Sequence, residues 1–114
     1  MVLPTQHRLP SPIDSAIEEL KQALSVLYGE RLYGMYLYGS YARGDFSEDS
    51  DVDILIALTG DIQPSQEIDR VNEVVSDIAL RYNLLLAVFP VPAAWLSERK
   101  SPLFENIRRE GVLL

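Results

Sequence analysis

The sequence predicts a mixed α/β domain, a small mixed sheet with helices packed on it. Three observations carry that expectation. Two stretches repeat apolar residues at helical spacing, one ending near Tyr28 and one near Tyr82. Short runs rich in β-branched and aromatic residues alternate with them. The whole is 114 residues with 47% hydrophobic content, enough for one core and little more.

The elements follow in chain order. Residues 1–11 read as a flexible arm and residues 12–114 as the domain. Ser11-Pro12-Ile13-Asp14 is a helix start, with Ser11 as cap and Pro12 at the first helical position. Ile13, Ile17, Leu20, Leu24 and Leu27 then share one helical face, and Gly29 stops the helix. Residues 32–38 are aromatic-rich and read as a strand; residues 39–50 are a turn-rich connection with room for one helical turn.

Residues 52–58 are the clearest strand. Val52, Ile54, Ile56 and Leu58 take one face, and Asp51, Asp53, Leu55 and Ala57 the other. A second helix fits residues 65–82, with Ile68, Val71, Val75, Ile78 and Tyr82 on its buried stripe and Asn83 at its end. Residues 84–89 are apolar throughout, which predicts a central strand ended by Pro90 and Pro92. A short helix within residues 93–99 and a last helix over residues 103–110, opened by Ser101-Pro102, complete the order α-β-β-α-β-α.

Composition narrows the function. The chain has no cysteine and one histidine, His7, in the arm. Disulfides, thiolate metal sites and cysteine nucleophiles are therefore excluded, and a histidine-based triad or zinc site is disfavoured. No apolar run approaches the roughly 20 residues that span a bilayer, and the start does not read as a secretory leader, so a cytoplasmic protein without membrane attachment is expected. The net charge of −7 argues against bulk nucleic-acid binding. Charge is also unevenly placed. Five acids crowd residues 45–53, and four of the ten basic residues (Arg99, Lys100, Arg108, Arg109) lie in the last sixteen positions. An acidic centre with a basic end suggests a metal site paired with an anion contact.

The chemistry concentrates between Tyr38 and Asp53. A phosphate-binding P-loop would need Lys and a hydroxyl after Gly44, where Asp45 and Phe46 stand. A calcium loop starting at Asp45 would need glycine at Ser50 and glutamate at Ile56. Both readings fail. Asp51 and Asp53 lie two apart at a strand start, so their carboxylates share a face with Cα atoms roughly 6.5 to 7 Å apart. Two such charges repel unless a divalent cation lies between them. Magnesium accepts one or two carboxylates and fills its other positions with water and phosphate. Gly39-Ser40, at a strand exit, offers backbone N–H groups and a hydroxyl to those phosphates.

A strand, Gly39-Ser40, about ten residues and then Asp51-Val52-Asp53 on the next strand resembles the DNA polymerase β-like nucleotidyltransferases. Gly39-Ser40-Tyr41-Ala42-Arg43-Gly44-Asp45, Ser50-Asp51-Val52-Asp53-Ile54-Leu55 and the C-terminal residues 101–111 resemble the minimal nucleotidyltransferases, the antitoxin partners of HEPN-domain toxins. The resemblance implies a polymerase β-like fold and transfer of a nucleoside monophosphate, AMP from ATP in the first instance, to a hydroxyl. It implies that Gly39 and Ser40 hold the β/γ-phosphates. Asp51 and Asp53, as catalytic carboxylates, bind two magnesium ions about 3.5 to 4 Å apart. Arg43 reaches a phosphate or the partner. The implied acceptor is a tyrosine of the HEPN partner.

One departure stands out. The resemblance implies a third carboxylate on a later strand, and residues 84–91 contain no acid; Ala87, Val88 and Phe89 stand where it would be. Asp61, Glu67, Asp77, Glu98 and Glu105 lie elsewhere, and sequence does not bring them in. An alternative follows: a catalytically impaired module of the same fold that neutralises a HEPN partner by binding it. Tyr33, Tyr36, Tyr38 and Tyr41 read as sheet packing and Trp95 as a packing anchor, with Arg108-Arg109 on a solvated helix face. The tyrosine-rich strand and the apolar residues 111–114 predict apolar surface that a partner or a second copy covers.

Overall fold

The central strand decides the architecture. Residues 54–58 of it have no measurable exposure, and so it must be covered on both faces. The computed structural model describes residues 9–47 and 49–114 and shows how. Helix α1 (Ser11–Tyr28) leads through a single 3-10 turn into β1 (Leu32–Tyr38). A one-turn helix α2 (Ser40–Arg43) and a loop precede β2 (Val52–Leu58). Then come α3 (Pro64–Tyr82), β3 (Leu86–Pro92), α4 (Trp95–Glu98), α5 (Pro102–Glu110) and β4 (Val112–Leu113). The arm's residues 1–8, His7 among them, lie outside the described residues.

The sheet order is β3-β2-β1-β4, with β2 and β3 parallel and the other pairs antiparallel. Strand alternation sends Val52, Ile54, Ile56 and Leu58, with Met35 and Leu37, toward one helical layer. That layer is α1 and α3, through Leu20, Leu24, Val71, Val75 and Ile78. Leu55 points the other way and packs with Val91, Phe104 and Ile107, so α5 covers the second face. The expected mixed sheet with packed helices is what forms.

Several expectations change in detail. The helical start lies one residue earlier than predicted: Pro10 is the cap residue of α1 and Ser11 is already helical, so Ser11 is not the cap. Leu9 packs against the core. Leu27 is 37% exposed, because the last turn of α1 directs Tyr28 inward instead, where its hydroxyl donates to Glu67 Oε1 (2.8 Å). Strand β3 is an edge strand, not a central one. That position explains why Pro90 and Pro92 lie within it rather than ending it: their missing N–H groups are tolerated only where no outer neighbour needs them.

The C-terminal apolar residues are not an exposed tail. Val112 is buried, and residues 112–113 add a fourth strand beside Tyr36 and Leu37. The turn that allows this needs Gly111. Its N–H donates to the Ile107 carbonyl (2.8 Å), and a Cβ there would lie 2.5 Å from that oxygen. The expected Ser101 cap is present, its hydroxyl accepting from the Phe104 N–H at 3.5 Å.

Glu67 is the one charged residue buried in the core among the described residues. Tyr28 and Arg70, the latter at 3.6 Å, are its partners. Burying a carboxylate without its donor costs more than the bond itself gains. Tyr28→Phe keeps the ring and removes the donor, so it should lower stability by about 1–3 kcal/mol, read as a lower urea midpoint. An unchanged midpoint would mean that water or Arg70 serves Glu67 equally well.

Candidate active site

Strand pairing assembles the site. Tyr38, the last residue of β1, is the register partner of Asp53, the second residue of β2. Gly39 follows Tyr38 immediately and turns the chain with φ 75° and ψ −154°, a region open to glycine and little else. A methyl group at Gly39 would overlap Asp53 Oδ2 and sit 3.2 Å from Cγ. The backbone of the glycine–serine bend therefore lies directly against the Asp53 carboxylate.

The bend runs straight into α2. Gly39 O accepts from the N–H groups of Ala42 and Arg43, both at 3.1 Å, and Ser40 O accepts from Gly44 (2.9 Å). Ser40 is half-buried at the start of this turn. Tyr41 is buried beneath it and stacks on Phe46, with ring centroids 4.3 Å apart. This stack ties the following loop to α2. The loop closes on itself further along, where the Ser47 N–H donates to Ser50 Oγ (2.9 Å). The Val52 N–H donates to Leu85 O (2.8 Å), which fixes the residue between the two aspartates to the start of β3.

Asp53 is half-buried and Asp51 exposed. Burial pushes the Asp53 carboxyl above the ordinary aspartate range; the negative charge of Asp51 adds to the shift, and Arg43 opposes it. Asp53 thus feels the like charge two residues before it. Tyr38 feels Asp53 in turn: its phenol is raised first by burial and then by that charge. Arg43, at the end of α2, has its Nε on Asp45 Oδ2 (3.2 Å) and its Nη1 3.9 Å from Glu110 Oε2.

Two carboxylates beside a backbone bend are a set of oxygen ligands that one magnesium ion would accept, its other positions being left to water and phosphate. Among the described residues no group of three or more acids or histidines could hold a metal. The register shows why. Ala87 is the β3 partner of Asp53, so an exposed methyl group occupies the place nearest the site on that strand. Of the other acids, Glu67 is held by Tyr28 and Asp77 by Arg81. Sequence reasoning missed Tyr38 and Glu110. Tyr38 was readable only through the strand register. Glu110 is remote in the chain, and no local pattern connects it to Arg43.

The sequence profile of the nucleotidyltransferase domain matches residues 17–100, a span that includes Gly39, Ser40, Asp51 and Asp53. One solved structure, a toxin–antitoxin with AMP-PNP, aligns with a TM-score of 0.59 at 19% identity, over 84% of this chain and 70% of that one. A second, a putative nucleotidyltransferase from Sulfolobus solfataricus, aligns with a TM-score of 0.44 at 22% identity, over 93% of this chain and 87% of that one. No curated protein sequence matches the chain. At such identities the first likeness is one of fold.

Two outcomes follow from this geometry. Gly39→Ala forces both a disfavoured φ and an overlap with Asp53, so it should cost about 1–3 kcal/mol in urea unfolding. Asp53→Asn should act in the opposite direction. The unfolded carboxyl has its ordinary value of 3.8 and the folded one lies higher. Its favourable contribution is therefore present below 3.8 and is lost as pH rises through the folded value. At pH 7 the Asn variant should melt higher than the parent, with the difference shrinking as pH falls toward the ordinary value. Magnesium should raise the melting temperature of the parent and leave the variant unmoved. A variant that melts lower at pH 7 would contradict the account of Asp53.

Proposed function

The chain belongs to the nucleotidyltransferase domain family, and from that premise we propose that it transfers a nucleoside monophosphate, AMP from ATP, to a hydroxyl of a protein partner. The partner is a HEPN-type toxin, the hydroxyl is that of a tyrosine, and the chain acts as the antitoxin in the cytoplasm. One observation supports this reading above the others: the Asp53 carboxylate lies against the Gly39 bend, with Asp51 close enough to raise its affinity for a proton.

The roles follow from position. Gly39 and Ser40 bind the β/γ-phosphates through backbone N–H groups and the Ser40 hydroxyl. Arg43 meets a phosphate oxygen from the far side of α2. Asp51 and Asp53 hold the magnesium, which when bound neutralises phosphate charge and orients the triphosphate. In the transfer the acceptor oxygen bonds to the α-phosphorus, the bond to the β-phosphate oxygen breaks, and pyrophosphate leaves. The acceptor proton passes to water, since Ala87 stands where a carboxylate would receive it. Positioning and charge stabilisation carry most of such a reaction, so a missing base slows it. The fold shared with a toxin–antitoxin that holds AMP-PNP is consistent with both the nucleotide and the partner.

Ala87 also favours a second reading, a module that binds nucleotide and partner without turnover. Labelled ATP, magnesium and a HEPN-domain partner separate the two. Transfer of label to the partner, lost in Asp51→Asn and Asp53→Asn, is the expected result. Label bound but never transferred would establish the binding module. Where label is transferred, Ala87→Asp should raise the rate by about tenfold or more; no gain would mean that β3 is not where the reaction lacks an acid.

A further inference from the structure

Arg43 would have little reason to stay at the site on its own. It ends a single helical turn, its side chain is 45% exposed, and its neighbour in sequence, Asp45, is 62% exposed. The second acid on its guanidinium comes from the other end of the chain. Glu110 Oε2 lies 3.9 Å from Arg43 Nη1, and Glu110 Oε1 lies 3.8 Å from Arg109 Nε. These are ionic contacts longer than hydrogen bonds. Their interest is in how firmly the backbone places them.

Glu110 is pinned on both sides. Before it, Phe104 and Ile107 bury α5 against Leu55 and Val91. After it, Gly111 turns the chain and Val112 pairs with Leu37. Leu114 extends the ladder, its N–H donating to Met35 O (2.9 Å). The pairing of Val112 with Leu37 holds the end of α5 at β1, and there Glu110 comes within 3.9 Å of Arg43. The last residue of the last helix thus reaches the residue that ends α2. The contact Glu110 makes at the site is with Arg43, so Glu110 acts through Arg43 rather than as a metal ligand.

We propose that Glu110 is a positioning residue of the candidate site: with Asp45 it grips the Arg43 guanidinium from two sides and holds it beside Asp53, where the phosphates of a nucleoside triphosphate meet it. What Arg43 meets rests on the nucleotidyl-transfer reading; the grip of Glu110 on Arg43 does not. The C-terminal strand is by this account part of the site, since it sets the height of Glu110.

A double-mutant cycle on the full chain tests the assignment, with magnesium–ATP as the titrant. Glu110→Gln should weaken binding roughly two- to fivefold without moving the melting temperature. Glu110→Asp should recover part of the loss. Arg43→Ala should weaken binding at least as much, and adding Glu110→Gln to it should change nothing further. A Glu110→Gln effect that persists in the Arg43→Ala background overturns the proposal, as does unaltered or tighter binding in Glu110→Gln alone. If the parent chain binds no magnesium–ATP, the functional reading falls, and the Arg43 Nε–H resonance then decides about Glu110. A resolved signal in the parent that averages with solvent in Glu110→Gln supports the grip; an identical signal in both removes it.

Discussion

Gly39 and Asp53 compete for one volume, and the site exists because one of them has no side chain. Strand pairing brings Tyr38 level with Asp53, so the next residue of β1 must pass over the carboxylate. Only a residue without Cβ can do so at this φ and this distance. From that contact the rest is determined. The bend turns at once into α2, α2 delivers Arg43, and the loop behind it returns the chain to Asp51. A shift of the β1–β2 register by one residue would send Asp53 into the α1–α3 layer and dismantle all of it.

The sheet keeps that register from slipping. β2 is closed off on both faces, with Ile54, Ile56 and Leu58 locked against the α1–α3 layer and Leu55 against α5. Two acids at the start of so apolar a strand are the exception, and the half-burial of Asp53 is the result. A cation beside that carboxylate would offset the cost of holding it ionised. On the flank toward β3 the surroundings stay apolar, with Leu85 61% exposed ahead of Ala87. The site is therefore asymmetric: charged on the α2 and α5 side, aliphatic on the β3 side.

Local signals in the sequence are enough for most of this. Helical spacing marks α1 and α3, proline at the first turn marks α1 and α5, and a glycine–serine pair before Asp51 and Asp53 marks the two halves of the candidate site. What remains illegible has a common cause, since it depends on partners distant in the chain. An all-apolar run such as residues 84–89 has the same look in a central strand and in an edge strand with one covered face, and only the pairing partner tells them apart. Leu27 yields to Tyr28 because Glu67, on another helix, has a vacancy for a hydroxyl. Val112 and Leu113 are too short a run to announce a strand until β1 is there to receive them. Glu110 is invisible beside Arg43 for the same reason.

The edge position of β3 carries one more consequence. An open strand edge is a template on which another chain can grow, and long apolar edges seed fibrils. Here Pro90 and Pro92 interrupt the ladder of donors along the outer side of β3, and at the opposite margin β4 is only two residues long. Neither margin offers a continuous zipper. The molecule can thus leave Leu85 uncovered close to the candidate site without inviting its own copies to stack edge to edge.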